Sequence, residues 1–114
     1  MPTTLGNIRQ AQTPGPNDVY IGRPNASYGL TGSQWANPFL IDTTVGQDRE
    51  AVVLLYQEWL PTQPHLMAAL EELRGKRLLC WCAPDLCHGD VLLAFLGERP
   101  YIEASVTPKQ LELF

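Results

Sequence analysis

With 114 residues, 45% of them hydrophobic and 18% charged, and a formal net charge of −4, the chain has room for one domain with a single core and lacks the broad basic face that grips nucleic-acid phosphates non-specifically. No apolar run approaches the length of a membrane span, so no membrane partner is expected. The N-terminal MPTTLGNIRQAQ has neither the basic start nor the apolar centre of a secretory signal, which makes the cytoplasm the expected location and reduced thiols the expected state of the three cysteines.

A short N-terminal piece leads into AQTPGPND, residues 11 to 18, a run of turn-formers that reads as a loop. Val19, Tyr20 and Ile21 then form a compact apolar run closed by Gly22 and Pro24, which predicts a short strand ending in a sharp turn. Residues 23 to 44 carry little periodicity and many Gly, Asn, Ser and Thr residues around QWANPF. A loop of that length in a small domain is either functional or a cover for the sheet, and Trp35 is either a ligand platform or a packing anchor. No internal repeat is visible.

In GQDREAVVLLYQEWL the apolar residues Val52, Leu55, Tyr56, Trp59 and Leu60 recur at helical spacing, with acidic Asp48 and Glu50 in the first turn. Pro61 and Pro64 end that helix, and PHLMAALEELRG predicts a second with Gly75 just past its end. KRLLCWC reads as a buried strand, followed through Ala83 and Pro84 by a third helix from His88 to about Leu96. One further strand is expected from Tyr101 to Val106.

This order predicts an α/β fold: a small, mostly parallel sheet with three main helices, in a Rossmann-like arrangement of two or three layers. Residues 1 to 106 form the single domain and 107 to 114 a flexible peptide tail. Parallel strands starting at Val19 and near Leu78 end on one edge, which brings the Gly22-Arg23-Pro24-Asn25 turn beside the cysteine turn, where open α/β sheets bind ligands.

All three cysteines and His88 fall within residues 80 to 88. As soft and borderline ligands, Cys80, Cys82, Cys87 and His88 are candidates for a tetrahedral zinc. As an active site, Cys87 precedes a helix whose unpaired N–H groups lower a thiol's pKa, with His88 as proton partner and Asp90 close by. Cys80 by itself also suits a buried core position. Arg23 is the expected anion anchor, and Tyr20, Gly22, Asn25, Trp35, Asn37 and Cys82 complete a pocket suited to a nucleotide or nucleobase.

VYIGRP, WANPF, DREAVVLLYQEWL and LRGKRLLCWCAPDLCHGDVL together resemble the family of domain of unknown function 4326, found in bacteria and their phages. Ala36 stands where that family more often has glycine. The resemblance implies which residues belong together, among them Arg49, Tyr56, Trp81 and Pro84, and implies no activity. The closing QLELF resembles the peptide by which replication and repair proteins bind the bacterial DNA polymerase sliding clamp, with Gln110 as polar pin and Leu111, Leu113 and Phe114 as apolar anchors. The expected function is a nucleotide- or DNA-base-processing protein recruited to replication or repair. The alternative is a non-enzymatic adaptor or phage inhibitor, zinc-stapled or simply packed, acting on the clamp.

Overall fold

The computed structural model describes residues 2 to 10, 15 to 83 and 85 to 103. The expected clamp peptide and the last part of the expected C-terminal strand lie outside these residues. Three strands, β1 (Thr4–Asn7), β2 (Asp18–Tyr20) and β3 (Arg77–Cys80), form an entirely parallel sheet in the order β1-β3-β2. The parallel pairing of β2 with β3 follows the sequence expectation, with Val19 opposite Leu78 and Tyr20 opposite Leu79. β1 was not foreseen as a strand, and it supplies the other edge by pairing Leu5 with Leu78 and Asn7 with Cys80.

Side chains alternate across the sheet, and this decides which residues meet the helices. Leu78 and Cys80 are fully buried in the main core, with Ile21 beside them and Leu5 and Val19 packed against it. At the strand starts Arg77 donates to both Asp18 carboxylate oxygens, at 2.8 and 2.9 Å, a two-pronged bond that holds the Asp18 carboxyl down at about 2.

The crossover from β2 to β3 carries two helices. α1 (Arg49–Trp59) is started by the Asp48 side chain, whose Oδ1 accepts from the Ala51 amide at 2.9 Å. Asp48 is thus the cap and Glu50 the acidic residue of the first turn. Val52, Val53, Tyr56 and Leu60 are buried, and at about 1.5 to 3 kcal/mol for each fully buried large side chain such a stripe sustains the helix without a covalent staple. α2 (Pro64–Ala69) tightens into a 3-10 turn, Leu70–Leu73, and Gly75 follows at φ 79°, where a side chain would be strained.

α3 (His88–Phe95) is capped on both sides of its first turn: Cys87 Sγ accepts from the Gly89 amide at 3.4 Å and Asp90 Oδ2 accepts from the Cys87 amide at 3.0 Å. A Cβ on Gly89 would lie 2.4 Å from Leu5 Cδ1 and 3.0 Å from Ile21 Cδ1, so this glycine lets α3 lie close on the sheet. All three helices feed the same cluster as Leu78 and Cys80.

Two features depart from the sequence reading. Tyr101 to Glu103 form no strand; the Ile102 backbone instead exchanges two hydrogen bonds with the Gln57 side-chain amide, at 2.8 and 2.9 Å, so an amide on α1 takes the place of a strand partner. The long loop also uses one local device twice. Asn25 bridges Leu30 and Asp42 bridges Gln47, each around a 3-10 turn (Ala26–Tyr28 and Thr43–Val45) closed by a left-handed glycine, Gly29 or Gly46. The two segments share only the starting Asn or Asp and the glycine four residues on, too little to read as a sequence repeat. Among the described residues no helix is long and apolar enough to cross a membrane.

Candidate functional site

At the carboxyl ends of β2 and β3 lies a cavity of about 160 Å³. Gly22 and Arg23 contribute from the turn after β2, Cys80, Trp81, Cys82, Cys87 and His88 from the cysteine segment, and Arg49, Val52 and Val53 from the start of α1. Asn37, Phe39 and Ile41 of the long loop close the remaining side. At this volume the cavity has room for a group about the size of one ring system, since pockets for complete drug-sized ligands run to about 300 Å³ or more.

Arg23 is fixed by its own loop: Nη2 donates to the Asn37 carbonyl at 2.6 Å and to the Phe39 carbonyl at 2.9 Å. Asn37 is buried and bonded at both ends of its amide, donating through Nδ2 to the Val52 carbonyl and accepting at Oδ1 from the Phe39 amide, both at 2.9 Å. The NPF stretch therefore ties the loop to α1 and aims one guanidinium at the cavity. Arg49 provides the other, pairing at 3.0 Å with the exposed Asp85 of the cysteine turn.

Tyr20 is a brace behind the site. Its hydroxyl donates to the Arg23 carbonyl and accepts from Trp81 Nε1 at 2.7 Å. Its ring passes so close to Gly22 that a Cβ there would sit 2.5 Å from the Tyr20 hydroxyl oxygen. Trp81 also takes the edge of Tyr28 at 4.9 Å between ring centroids, with the Arg9 guanidinium 5.9 Å from the Trp81 centroid.

The three thiols converge on Cys87. All three line the cavity; Cys87 Sγ lies 3.5 Å from His88 Nδ1 and accepts from the Gly89 amide at 3.4 Å, and Cys80 and Cys82 are the neighbours that perturb its thiol most. His88 Nε2 lies 2.7 Å from the Ile21 carbonyl, an oxygen that can only accept, so the proton of the neutral ring sits on Nε2 and the Nδ1 lone pair faces Cys87. Burial pushes the His88 pKa down to about 4, and the nearby Arg23 charge adds to that fall.

The Cys87 thiol is shifted upward, opposite to the direction expected from a helix N-terminus. Cys87 is 1% exposed, and the donation of its proton to Cys80 and Cys82, together with burial, pushes its pKa far up; the Gly89 amide bond opposes this only weakly. Cys82 takes the opposite position. It is half-buried, and the hydrogen bond from Cys87, then the Arg49 and Arg23 charges, bring its thiol down to about 6 against burial and the Asp85 carboxylate. Cys80 is drawn down by the same Cys87 donor but is 1% exposed. Cys87 has a single proton, for which Cys80, Cys82 and the His88 Nδ1 lone pair compete; of the two thiols, Cys82 is the one with guanidinium charges nearby and access to solvent.

Of the remaining sequence candidates, Asp90 caps α3 and pairs with Arg99, Asn25 starts a 3-10 turn, and neither lines the cavity. Trp35 is 4% exposed and packs in the core, where its carbonyl accepts from the Tyr56 hydroxyl at 2.8 Å. The aromatic wall is formed by Trp81 and Phe39 instead. Among the described residues no group of three or more His, Cys, Asp and Glu side chains is arranged to hold a metal ion, so the zinc expectation for Cys80, Cys82, Cys87 and His88 gains no geometric support. Arg49 was not singled out as a site residue, although a cation in the first turn of a helix faces the positive end of the dipole and so asks for another reason to be there.

A family model described as Domain of unknown function (DUF4326) matches residues 6–98, and the chain belongs to this family. No match was found among curated proteins or among solved structures.

Proposed function

We propose that this member of the family is a cysteine-dependent nucleotide- or nucleobase-processing enzyme with Cys82 as its nucleophile. The observation that carries the reading is a half-buried thiol, brought to about 6, inside a small cavity flanked by Arg23 and Arg49. Such a thiolate forms a covalent bond to an electrophilic ring carbon while the displaced electron pair moves to a ring oxygen or nitrogen. The fixed guanidinium of Arg23 stabilises the charge that develops there, and Arg49 at the mouth holds a phosphate that the cavity is too small to enclose. Cys87, buried behind Cys82, keeps the nucleophile deprotonated. Gln110, Leu111, Leu113 and Phe114 recruit the enzyme to the bacterial sliding clamp, so that it acts at replicating or repaired DNA.

Thermal shift against nucleoside mono-, di- and triphosphates and free bases tests the reading. A ligand at about 100 times its Kd adds about 2.7 kcal/mol, or roughly 10 °C of melting temperature for a domain of this size. Arg49→Gln and Cys82→Ala should lose the shift and the turnover respectively. No stabilisation by any nucleotide or base at millimolar concentration would sink the proposal.

The tail favours a second reading, a clamp-directed adaptor or phage inhibitor without turnover. Deleting residues 110 to 114 abolishes clamp binding in either case, and undiminished affinity removes the clamp from both. Cys82→Ala separates them, because an adaptor keeps its biological effect with that thiol gone.

A further inference from the structure

We propose that Cys82 and Cys87 form a reversible dithiol/disulfide pair, giving the site a thiol–disulfide exchange activity toward low-molecular-weight disulfides. The inference is independent of the nucleotide reading, since it needs only the thiols and their order of access.

The geometry assigns different roles to the three cysteines. All three line the cavity and Cys82 is the half-buried one, so an incoming disulfide meets it first. Cys87 is 1% exposed and lines the same small cavity as Cys82, which suits a thiol that attacks only from inside. Cys80 also lines the cavity but is 1% exposed and held at the end of β3 within the core cluster. Four residues separate Cys82 from Cys87, and the Asp85 amide donates to the Cys82 carbonyl at 2.8 Å between them.

In the first step the Cys82 thiolate attacks one sulfur of the external disulfide; a Cys82 mixed disulfide forms, and the first small thiolate leaves and takes a proton from water. Cys87 then passes its proton to His88 Nδ1, 3.5 Å from its sulfur, while that sulfur attacks Cys82 Sγ. The Cys82–Cys87 bond forms and the second small thiolate leaves with the proton carried by His88. Two protein thiols are oxidised and one external disulfide is reduced to two thiols, so atoms and electrons balance. The first step also prepares the second. A Cys82 mixed disulfide no longer carries the negative charge that opposes ionisation of Cys87.

The test uses the full chain, reduced and then exposed to oxidised glutathione, acid-quenched, alkylated with N-ethylmaleimide and mapped by mass spectrometry. The expected product is a Cys82–Cys87 disulfide with Cys80 alkylated and no glutathione retained, reversed by dithiothreitol with the circular dichroism of the starting protein restored. Cys87→Ser should trap glutathione on Cys82, and Cys82→Ser should react at least about tenfold more slowly. A wild-type chain that keeps a stable glutathione adduct on Cys82, stays fully alkylatable, or bridges through Cys80 overturns the proposal. The wild-type map decides even where Cys87→Ser fails to fold.

Discussion

Cys87→Ala tests the electrostatic account of the thiol group most directly. In the folded chain Cys82 sits at about 6, and the hydrogen bond from Cys87 is the largest cause, ahead of Arg49 and Arg23. Hydrogen bonds to charged groups contribute about 1.5 to 3 kcal/mol. At about 1.36 kcal/mol for each pH unit, losing this donor should raise the Cys82 midpoint by roughly one to two pH units. The assay is the pH dependence of Cys82 alkylation by iodoacetamide, read peptide by peptide, in wild type, Cys87→Ala and Arg49→Gln. The midpoint is the informative quantity, and the rate at neutral pH is not. Relative to an ordinary thiol near 8.5, a thiol at about 6 is ionised roughly thirtyfold more at pH 7, but its lower basicity cuts intrinsic nucleophilicity by roughly tenfold. The two nearly cancel, leaving a rate difference of only a few-fold. The expected order of midpoints is wild type lowest, Arg49→Gln above it, and Cys87→Ala highest. A wild-type midpoint near 8.5, or a Cys87→Ala midpoint unchanged from wild type, would refute the reasoning.

Three further outcomes follow from the packing. His88 titrates at about 4 in the fold against about 6.5 unfolded, so its neutral form contributes stability that is present above pH 6.5 and lost as pH falls toward 4. That loss amounts to about 3 kcal/mol in urea denaturation, and His88→Gln should remove this component; an unaltered pH dependence would reassign it to other groups. Gly89→Ala should cost about 1 to 3 kcal/mol, because the new methyl meets Leu5 and Ile21, and an unchanged melting temperature would show that α3 does not need the close approach. Tyr56→Phe leaves the buried Trp35 carbonyl without its donor and should destabilise by about 1 to 2 kcal/mol in the same measurement; a neutral result would mean that carbonyl finds another partner.

Much of the fold was legible because it rests on short-range patterns. The spacing of Val52, Tyr56 and Leu60 with Asp48 before them defines α1 without reference to the rest of the chain, and Gly75 marks the end of the second helical segment for the same local reason. The β2 and β3 pairing follows from two apolar runs separated by helices, and with it the meeting of the Arg23 turn and the cysteine turn. β1 was hidden because TLGN carries no alternation of its own; it is a strand only because β3 offers a second edge. Trp35 was undecidable in sequence, since its burial depends on Tyr56 reaching across from α1.

Sequence alone determined that three thiols, an imidazole and an arginine gather at one sheet edge, because topology and local periodicity place them there. It did not determine which thiol is ionised. That depends on who donates the single Cys87 proton, on which sulfur faces solvent, and on Arg49 arriving from α1 and Arg23 from the turn after β2. Coulomb energy and desolvation vary over a few ångströms and are set by groups far apart in the chain. Only tertiary packing brings them within those distances, and it leaves Cys87 buried at the helix start and Cys82 half-buried at the cavity.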